Sequence, residues 1–223
     1  MSRKLTLIVV LLFFILQQAV VSLASAKEPE NLHTLKQAVI FYHDSGEYDF
    51  DQEAVAQRAR DYLDMRINQD TNNQKLAIVF DIDETALSNY QHMLKLNFGM
   101  IPQLVVEDIE RAEDPAIEAT LKLYEYAKEK GVAIFFITGR NERLRDATQK
   151  NLRSVGYGEW NGLYLKPNDY KENSVIPYKS STRKRIQEEG YIIVVNIGDQ
   201  FSDLAGGYAE RVFKLPNPYY FIP

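Results

Sequence analysis

Three acidic side chains follow a single apolar run in the segment LAIVFDIDETALSNY, residues 76–90. Asp81 and Asp83 are separated by one residue, Glu84 comes next, and Thr85 lies directly behind it. A buried strand normally excludes charge, because an unpaired carboxylate is costly to remove from water. Carboxylates at the end of such a strand are therefore candidates for metal binding, nucleophilic attack or proton transfer.

Three further polar groups occupy comparable places later in the chain. The run VAIFFIT leads into TGR, the helical segment SSTRKRIQEEG is preceded by YK, and YIIVVNI leads into GDQFSD. All of these groups fall at predicted strand ends or helix starts, which lie on one edge of a parallel sheet. Their candidate site residues are Thr138, Gly139, Arg140, Lys179, Asp199 and Asp203.

This pattern indicates phosphoryl transfer. Asp81, Asp83 and Asp199 offer the hard oxygen ligands that Mg²⁺ prefers, and Lys179 would add positive charge beside the same phosphate oxygens. The TGR segment lies where a strand turns into a helix, so its hydroxyl and amide groups can donate hydrogen bonds to a phosphate oxygen. Catalysis would then consist mainly of positioning and charge neutralisation.

The elements that would hold these residues alternate between strands and helices from residue 75 onward. The strand-like runs are KLAIVFDI, VAIFFIT, GLYL, YIIVVNI and a weaker RVFKL; the helical segments are DPAIEATLKLYEYAKEKG, NERLRDATQKNLRSVG and SSTRKRIQEEG. Strands that are apolar throughout indicate a parallel sheet covered on both faces. We therefore predict an α/β fold with a doubly wound, Rossmann-like parallel sheet and a ligand beyond the carboxyl ends of its strands.

Two additions to this sheet are expected within the core region 75–223. Residues 88–113 are too long for a simple strand-to-helix turn and are predicted to form a small flap or cap over the carboxyl edge. The tail LPNPYYFIP is predicted to be an extended strap. Before the core, residues 27–74 show helical periodicity that HDSGEYDFD interrupts, which predicts an N-terminal helical segment packed on the core.

The first 26 residues are predicted to be a signal peptide. Arg3 and Lys4 precede an apolar run, and the segment ends in ASA, which predicts cleavage after Ala26; an uncleaved membrane anchor is the alternative. A periplasmic or secreted protein without stable membrane association after cleavage is expected. The sequence has no cysteine, which excludes disulfides and a lipidated cysteine.

The formal net charge of -5 bears on partners. An acidic chain is a poor partner for a nucleic acid polymer, whose phosphates require a basic surface. A small phosphorylated substrate needs only local positive charge and stays compatible with this composition. The sequence does not indicate an oligomeric state.

The ordered set DxDxT, strand-end Thr, Lys and GDxxxD resembles the four motifs of the haloacid dehalogenase-like phosphatases. The segments VFDIDETALSNY, YKSSTRKRI, NIGDQFSDLAGG and FKLPNPYY are similar to the secreted acid phosphatases of that superfamily. This group includes bacterial class C-type acid phosphatases and plant vegetative storage proteins. The resemblance extends from about Asn31 to the C-terminus.

The resemblance implies a role for each residue of the first motif. Asp81 would be the nucleophile that forms an aspartyl-phosphate. Asp83 would protonate the leaving alcohol and then activate water, while its backbone carbonyl binds Mg²⁺. An acid at this second position is typical of relatives that hydrolyse phosphomonoesters, and dehalogenases lack it.

The remaining motifs would complete the site. By the resemblance, Asp199 is the third protein ligand of Mg²⁺ after Asp81 and Asp83, and Asp203 is a supporting partner or occasional ligand. Thr138, Gly139 and Lys179 would hold the phosphoryl group. A helix cap is the alternative for Asp203.

Four other side chains have open roles at this stage. Glu84 is expected to be a structural or flap hydrogen-bonding residue rather than a ligand. Arg140 could contact substrate or form a structural ion pair, His92 could reach the substrate from the flap, and Tyr90 could stack on an aromatic leaving group or simply pack.

We therefore predict an Mg²⁺-dependent acid phosphatase acting on small phosphomonoesters, with 5′-nucleotides among the candidate substrates. Two alternatives remain. One is a storage or binding protein that keeps the fold with negligible turnover. The other is a phosphotransferase that passes the phosphoryl group to an alcohol.

Overall fold

The computed structural model describes residues 28–222. Its helices are α1 Leu32–Asp44, α2 Glu47–Gln69, α3 Tyr90–Lys95, α4 Pro102–Arg111, α5 Glu118–Glu129, α6 Arg145–Ser154, α7 Ile176–Glu188 and α8 Phe201–Leu204. The strands are β1 Lys75–Phe80, β2 Ala133–Asn141, β3 Gly162–Lys166, β4 Tyr191–Gly198 and β5 Arg211–Lys214. The predicted signal peptide, residues 1–26, lies outside the described residues.

The five strands form one parallel sheet in the order β3-β2-β1-β4-β5. Strand β1 is central, with β2 on one side and β4 on the other, and every residue of β1 after Lys75 is buried. This confirms the predicted α/β fold with a doubly wound parallel sheet. The carboxyl ends of β1, β2 and β4 are therefore adjacent at one edge.

Alternate residues of β1 enter hydrophobic clusters on opposite faces of the sheet, as the two-residue period of a strand requires. Ile78 packs in a cluster that includes Leu63 from α2 and Leu123 from α5. Val79 belongs to a second cluster with Ile186 from α7. Helices cover both faces, which holds the end of β1 rigidly.

The predicted helix ends are also found. Gly131 and Gly190 follow α5 and α7 with φ of 70° and 90°, values that glycine adopts without steric cost. Gly46, between α1 and α2, has φ 86° and separates the two helices that the sequence predicted around HDSGEYDFD.

The segment predicted as a flap contains the two helices α3 and α4, which the sequence patterns did not predict. A short paired stem joins it to the core. The amide of Ser88 donates to the Pro115 carbonyl at 2.9 Å, and the amide of Ile117 donates to the Ala86 carbonyl at 3.0 Å. Both ends of the flap therefore leave the core at the same point.

The tail after β5 is extended, as predicted, and we call residues 215–222 the strap. The amide of Ile222 donates to Gln200 Oε1 at 3.0 Å, and Gln52 Nε2 on α2 donates to the Pro216 carbonyl at 3.3 Å. The strap thus lies against the loop that follows β4. In the part of the chain that the structure describes, no helix has the length and apolar character needed to cross a membrane.

Candidate active site

Asp81 occupies the first position after β1 and is 5% exposed. Its backbone amide donates to the carbonyl of Ile197 on β4 at 3.0 Å, so the sheet ladder continues to this residue. The chain then turns tightly, with the amide of Thr85 donating to the Ile82 carbonyl at 3.2 Å. Sheet and turn together fix the direction of the acids of DIDET.

Lys179, from the first half of α7, lies between two of the predicted carboxylates. Its Nζ is 2.5 Å from Asp81 Oδ1 and 2.6 Å from Asp203 Oδ1. All three side chains are buried. Burial favours the neutral amine, but the charges of Asp203 and Asp81 outweigh it and raise the pKa of Lys179.

Asp203 is held by the loop after β4 as well as by Lys179. Its Oδ2 accepts from the amide of Gln200 at 2.7 Å, which is the helix-capping role that the sequence left open. This cap and the ion pair with Lys179 occur together, so the alternatives for Asp203 do not exclude each other. Asp199 is fixed by Gln200 Nε2 and Asn217 Nδ2, each 2.6 Å from Asp199 Oδ2.

The carboxylates of Asp81, Asp199 and Asp203 form a buried cluster in which one oxygen from each lies within 4.8 Å of the others. Burial and then the charge of Asp203 raise the pKa of Asp81 well above its usual range. The same two causes raise the pKa of Asp199 to about 7. Lys179 contacts two of these three acids, Asp81 and Asp203, and the oxygen-rich donor set fits a divalent cation.

The side chain of Asp83 is not part of this carboxylate cluster. The resemblance assigns the backbone carbonyl of Asp83 to the metal, so the ligand set of Asp81, Asp83 and Asp199 stays a prediction. The Asp83 carboxylate is bound by Arg140, whose Nη2 and Nε lie 2.8 Å and 3.1 Å from Asp83 Oδ1. Burial favours protonation of Asp83, but the charge and hydrogen bonds of Arg140 outweigh it and lower its pKa. The carboxylate that clusters with those of Asp81 and Asp199 is that of Asp203.

Arg140 forms a buried ion pair, which is the contact that the structural alternative predicts. Besides Asp83, its Nη2 lies 3.3 Å from Asp114 Oδ2. Burial raises the pKa of Asp114 to about 6 despite this cation. Neighbouring Thr138 is fully buried, and its Oγ1 accepts from the Arg140 amide at 3.0 Å.

A cavity of about 380 Å³ lies among these carboxylates, and neither Thr138 nor Asp114 is among its lining residues. Its polar lining includes Asp81, Asp83, Gly139, Arg140, Lys166, Lys179, Asp199 and Asp203. Its apolar lining comes mainly from the flap and the strap, through Met93, Met100, Pro102, Val105, Ile109, Tyr220 and Ile222. The cavity therefore has a charged floor at the sheet edge and an apolar wall opposite it.

The structure also places the other three residues whose roles were open: Glu84 in the turn after β1, and His92 and Tyr90 in the flap. Glu84 accepts a 2.7 Å hydrogen bond from Tyr48 and another from the Asn89 amide, contacts of the kind that its predicted structural role requires. His92 lines the cavity, with Nδ1 3.4 Å from an Asp108 carboxylate oxygen. Tyr90 lies outside the described lining.

Three residues around the site were missed by sequence reasoning. Asn89 donates to Asp83 Oδ1 at 3.0 Å, Asp114 contacts Arg140, and Asn217 of the strap contacts Asp199. Asn217 lies in the segment FKLPNPYY, which is similar to the secreted acid phosphatases. For Asp114 no local pattern exists, because its partner is 26 positions away.

Comparison with known proteins identifies the class as that of the phosphomonoester hydrolases. The chain belongs to the acid phosphatase family of the HAD superfamily, subfamily IIIB, whose family model matches residues 16–223.

Among curated proteins, Vegetative storage protein 1 of Arabidopsis thaliana is 38% identical over 184 residues, covering 80% of this chain and 67% of that protein. Acid phosphatase 1 of Solanum lycopersicum is 40% identical over 151 residues, covering 65% of this chain and 58% of that protein. The Class C acid phosphatase from Bacillus anthracis is similar in fold, with a TM-score of 0.70 and 24% identity over 85% of this chain and 86% of that chain.

Proposed function

We propose that this protein is an Mg²⁺-dependent acid phosphatase that hydrolyses small phosphomonoesters through an aspartyl-phosphate on Asp81. The observation that carries the proposal is the contact of Asp81 with Lys179, inside a buried carboxylate cluster on the floor of a cavity. A nucleophilic carboxylate must lie beside positive charge to accept a phosphate dianion, and this arrangement provides it.

The chemistry divides into two balanced steps. First, an oxygen of Asp81 bonds to phosphorus, the ester P–O bond breaks, and the proton of the Asp83 carboxyl group passes to the leaving oxygen. Then water bonds to phosphorus, the Asp81–phosphorus link breaks, and Asp83 takes the proton of that water. Such a division replaces one difficult displacement by two easier ones.

Binding of the phosphoryl group is assigned to Lys179, Thr138 and Gly139. Lys179 supplies a buried cation, and Gly139 lines the cavity, where its amide would donate to a phosphate oxygen. Thr138 orients this turn through the hydrogen bond to the Arg140 amide.

The metal is assigned to Asp81, Asp199 and the backbone carbonyl of Asp83, with Asp203 close enough to support or join them. When bound, Mg²⁺ supplies positive charge that lets a carboxylate approach a phosphate dianion. The clustered carboxylates fit this group because hard oxygen ligands and an excess of negative charge are what it prefers.

The leaving group would lie against the apolar wall formed by the flap and strap. This wall favours a leaving group with an apolar or aromatic body, which includes nucleosides. The signal-peptide pattern supports a periplasmic or secreted location for the mature protein.

The test is phosphate release from p-nitrophenyl phosphate and from 5′-AMP by wild type, Asp81→Asn and the control Asp146→Asn, whose side chain is exposed on α6. Wild type should lose activity in chelator and regain it with Mg²⁺, and Asp81→Asn should be inactive. Undiminished turnover by Asp81→Asn would contradict the covalent mechanism.

A storage protein is the second candidate, because two of the similar Arabidopsis proteins carry the name vegetative storage protein. It predicts that phosphate and metal bind while hydrolysis stays at background. Isothermal titration with inorganic phosphate, run beside the activity assay, separates this candidate from an enzyme.

A further inference from the structure

The two ends of the flap both reach the surroundings of Asp83. At the first end, Asn89 precedes α3, and its Nδ2 donates to Asp83 Oδ1 at 3.0 Å. The Oδ1 atom of the same side chain accepts from the Glu84 amide at 3.3 Å. Asn89 is therefore fixed at both atoms of its amide group, one of them on the Asp83 carboxylate.

At the second end, Asp114 follows α4 and acts on the same carboxylate through Arg140. Arg140 Nη2 lies 3.3 Å from Asp114 Oδ2 and 2.8 Å from Asp83 Oδ1. Asn151 holds the Asp114 backbone, accepting from its amide at 3.0 Å and donating to its carbonyl at 2.7 Å. Asp114 is thus a fixed anchor rather than a mobile surface acid.

The paired stem keeps these two ends together, because the Ser88 amide donates a hydrogen bond to the Pro115 carbonyl beside them. The same flap supplies Met93, Val105 and Ile109 to the wall of the cavity. A leaving group that rests on this wall therefore contacts the segment whose ends hold Asp83.

We propose that Asn89 and Asp114 are positioning residues that set the orientation of the Asp83 carboxyl group toward the leaving oxygen, Asn89 directly and Asp114 through Arg140. This inference rests on the proposed role of Asp83 as proton donor. Both residues contact Asp83 or its partner Arg140, and neither contacts the nucleophile Asp81, so both would act on proton transfer and not on nucleophilic attack.

This role has a signature that a purely structural role lacks. Proton donation matters when the leaving group is a poor one, such as the alkoxide of glycerol 2-phosphate, and matters little for p-nitrophenolate. A misplaced Asp83 should therefore reduce kcat/KM for glycerol 2-phosphate much more than for p-nitrophenyl phosphate. The ratio of the two values is measured on one protein sample, so it is independent of the folded fraction.

The experiment measures this ratio for wild type, Asn89→Ala, Asp114→Ala and Asp83→Asn. We expect the ratio of kcat/KM for p-nitrophenyl phosphate to that for glycerol 2-phosphate to rise about tenfold in both alanine variants, a fraction of the effect of a general acid. Asp114→Asn, whose amide oxygen can still accept from Arg140, should restore most of the wild-type ratio. Glu107→Ala, which removes an exposed acid from α4, is the matched control and should leave it unchanged.

The results for Asp83→Asn and for the alanine variants distinguish the acid role of Asp83 from the positioning role of Asn89 and Asp114. An unchanged ratio in Asp83→Asn would overturn the acid role of Asp83 itself. A raised ratio in Asp83→Asn with an unchanged ratio in both alanine variants would overturn the positioning role alone.

Discussion

Lys179 and Asp81 are 98 positions apart in the chain, and their charged groups meet at 2.5 Å in the interior. The ammonium group also binds Asp203, so a single buried cation compensates two carboxylates. Removing one partner of a buried ion pair leaves an uncompensated charge, which costs more than the pair contributes.

Lys179→Met is therefore expected to lower the free energy of unfolding by about 3 kcal/mol in metal-free buffer. Guanidinium unfolding measures the loss, and activity toward p-nitrophenyl phosphate should disappear as well. Lys184→Met, an exposed position on the same helix, is the control. A Lys179→Met protein as stable as wild type would show that the carboxylates do not depend on this cation.

Gly198→Ala should displace Asp203. A Cβ atom at Gly198 would lie 2.6 Å from Asp203 Cβ and 2.7 Å from Asp203 Oδ2, too close for either atom to stay in place. We expect a loss of about 1–3 kcal/mol in stability, together with reduced activity. Gly158→Ala, where the added atom meets nothing within 4 Å, is the matched variant and should behave as wild type.

Tyr48→Phe should weaken the junction between α2 and the turn after β1. The variant leaves Glu84 Oε2 without its 2.7 Å hydrogen bond, at a fully buried site. A loss of about 1–3 kcal/mol is expected in thermal or denaturant unfolding. The comparison is Tyr42→Phe, whose hydroxyl binds Asp51 at an exposed site and whose loss should cost ~0.5 kcal/mol or less.

Asp114 should make stability depend on pH. Burial raises its pKa to about 6, so the folded protein binds its proton more tightly than the unfolded chain does. The contribution of Asp114 to the free energy of unfolding is therefore fully present at low pH and is lost as the pH rises from about 4 to about 6.

Asp114→Asn, which has no proton to lose, should lack this component of the pH dependence. Urea unfolding midpoints of wild type and Asp114→Asn between pH 4 and pH 7 measure the difference, with Asp146→Asn as an exposed control. Parallel curves for wild type and Asp114→Asn would contradict the expectation.

Asn217→Ala should weaken metal binding through the strap. Its side chain donates to Asp199 Oδ2 at 2.6 Å and so orients a proposed ligand. Removing such a supporting hydrogen bond is expected to raise the Kd for Mg²⁺ about tenfold, measured by isothermal titration on the wild-type and variant proteins. Asn72→Ala, in an exposed turn, should leave the Kd unchanged.

The sheet and the residues on its carboxyl edge could be predicted because their signals are local. A continuous apolar run followed by acids identifies both a buried strand and its end, as for β1 and Asp81. The same holds for Asp199 after β4. The parallel order of the strands then brings these ends together without any further information.

The partners of these residues could not be predicted in the same way, because each contact joins distant segments. Arg140 binds Asp83 and Asp114 across 57 and 26 positions, and the strap reaches Asp199 from Asn217. The sequence predicted Asp203 as a supporting partner or occasional ligand, and its carboxylate clusters with those of Asp81 and Asp199. The short helices α3 and α4 were missed because six and ten residues carry too little periodicity.

The paired stem allows the length and sequence of the flap to vary without a change in the core. The backbone amide of Ser88 is hydrogen-bonded to the carbonyl of Pro115, so the two ends of the flap are held together. The distance between these ends would therefore stay the same for an inserted segment of any length. Lengthening a closed loop adds little entropic cost. Descendants of this chain could therefore exchange the residues between Asn89 and Asp114, and with them the apolar wall of the cavity, while the side chains at the sheet edge keep their places.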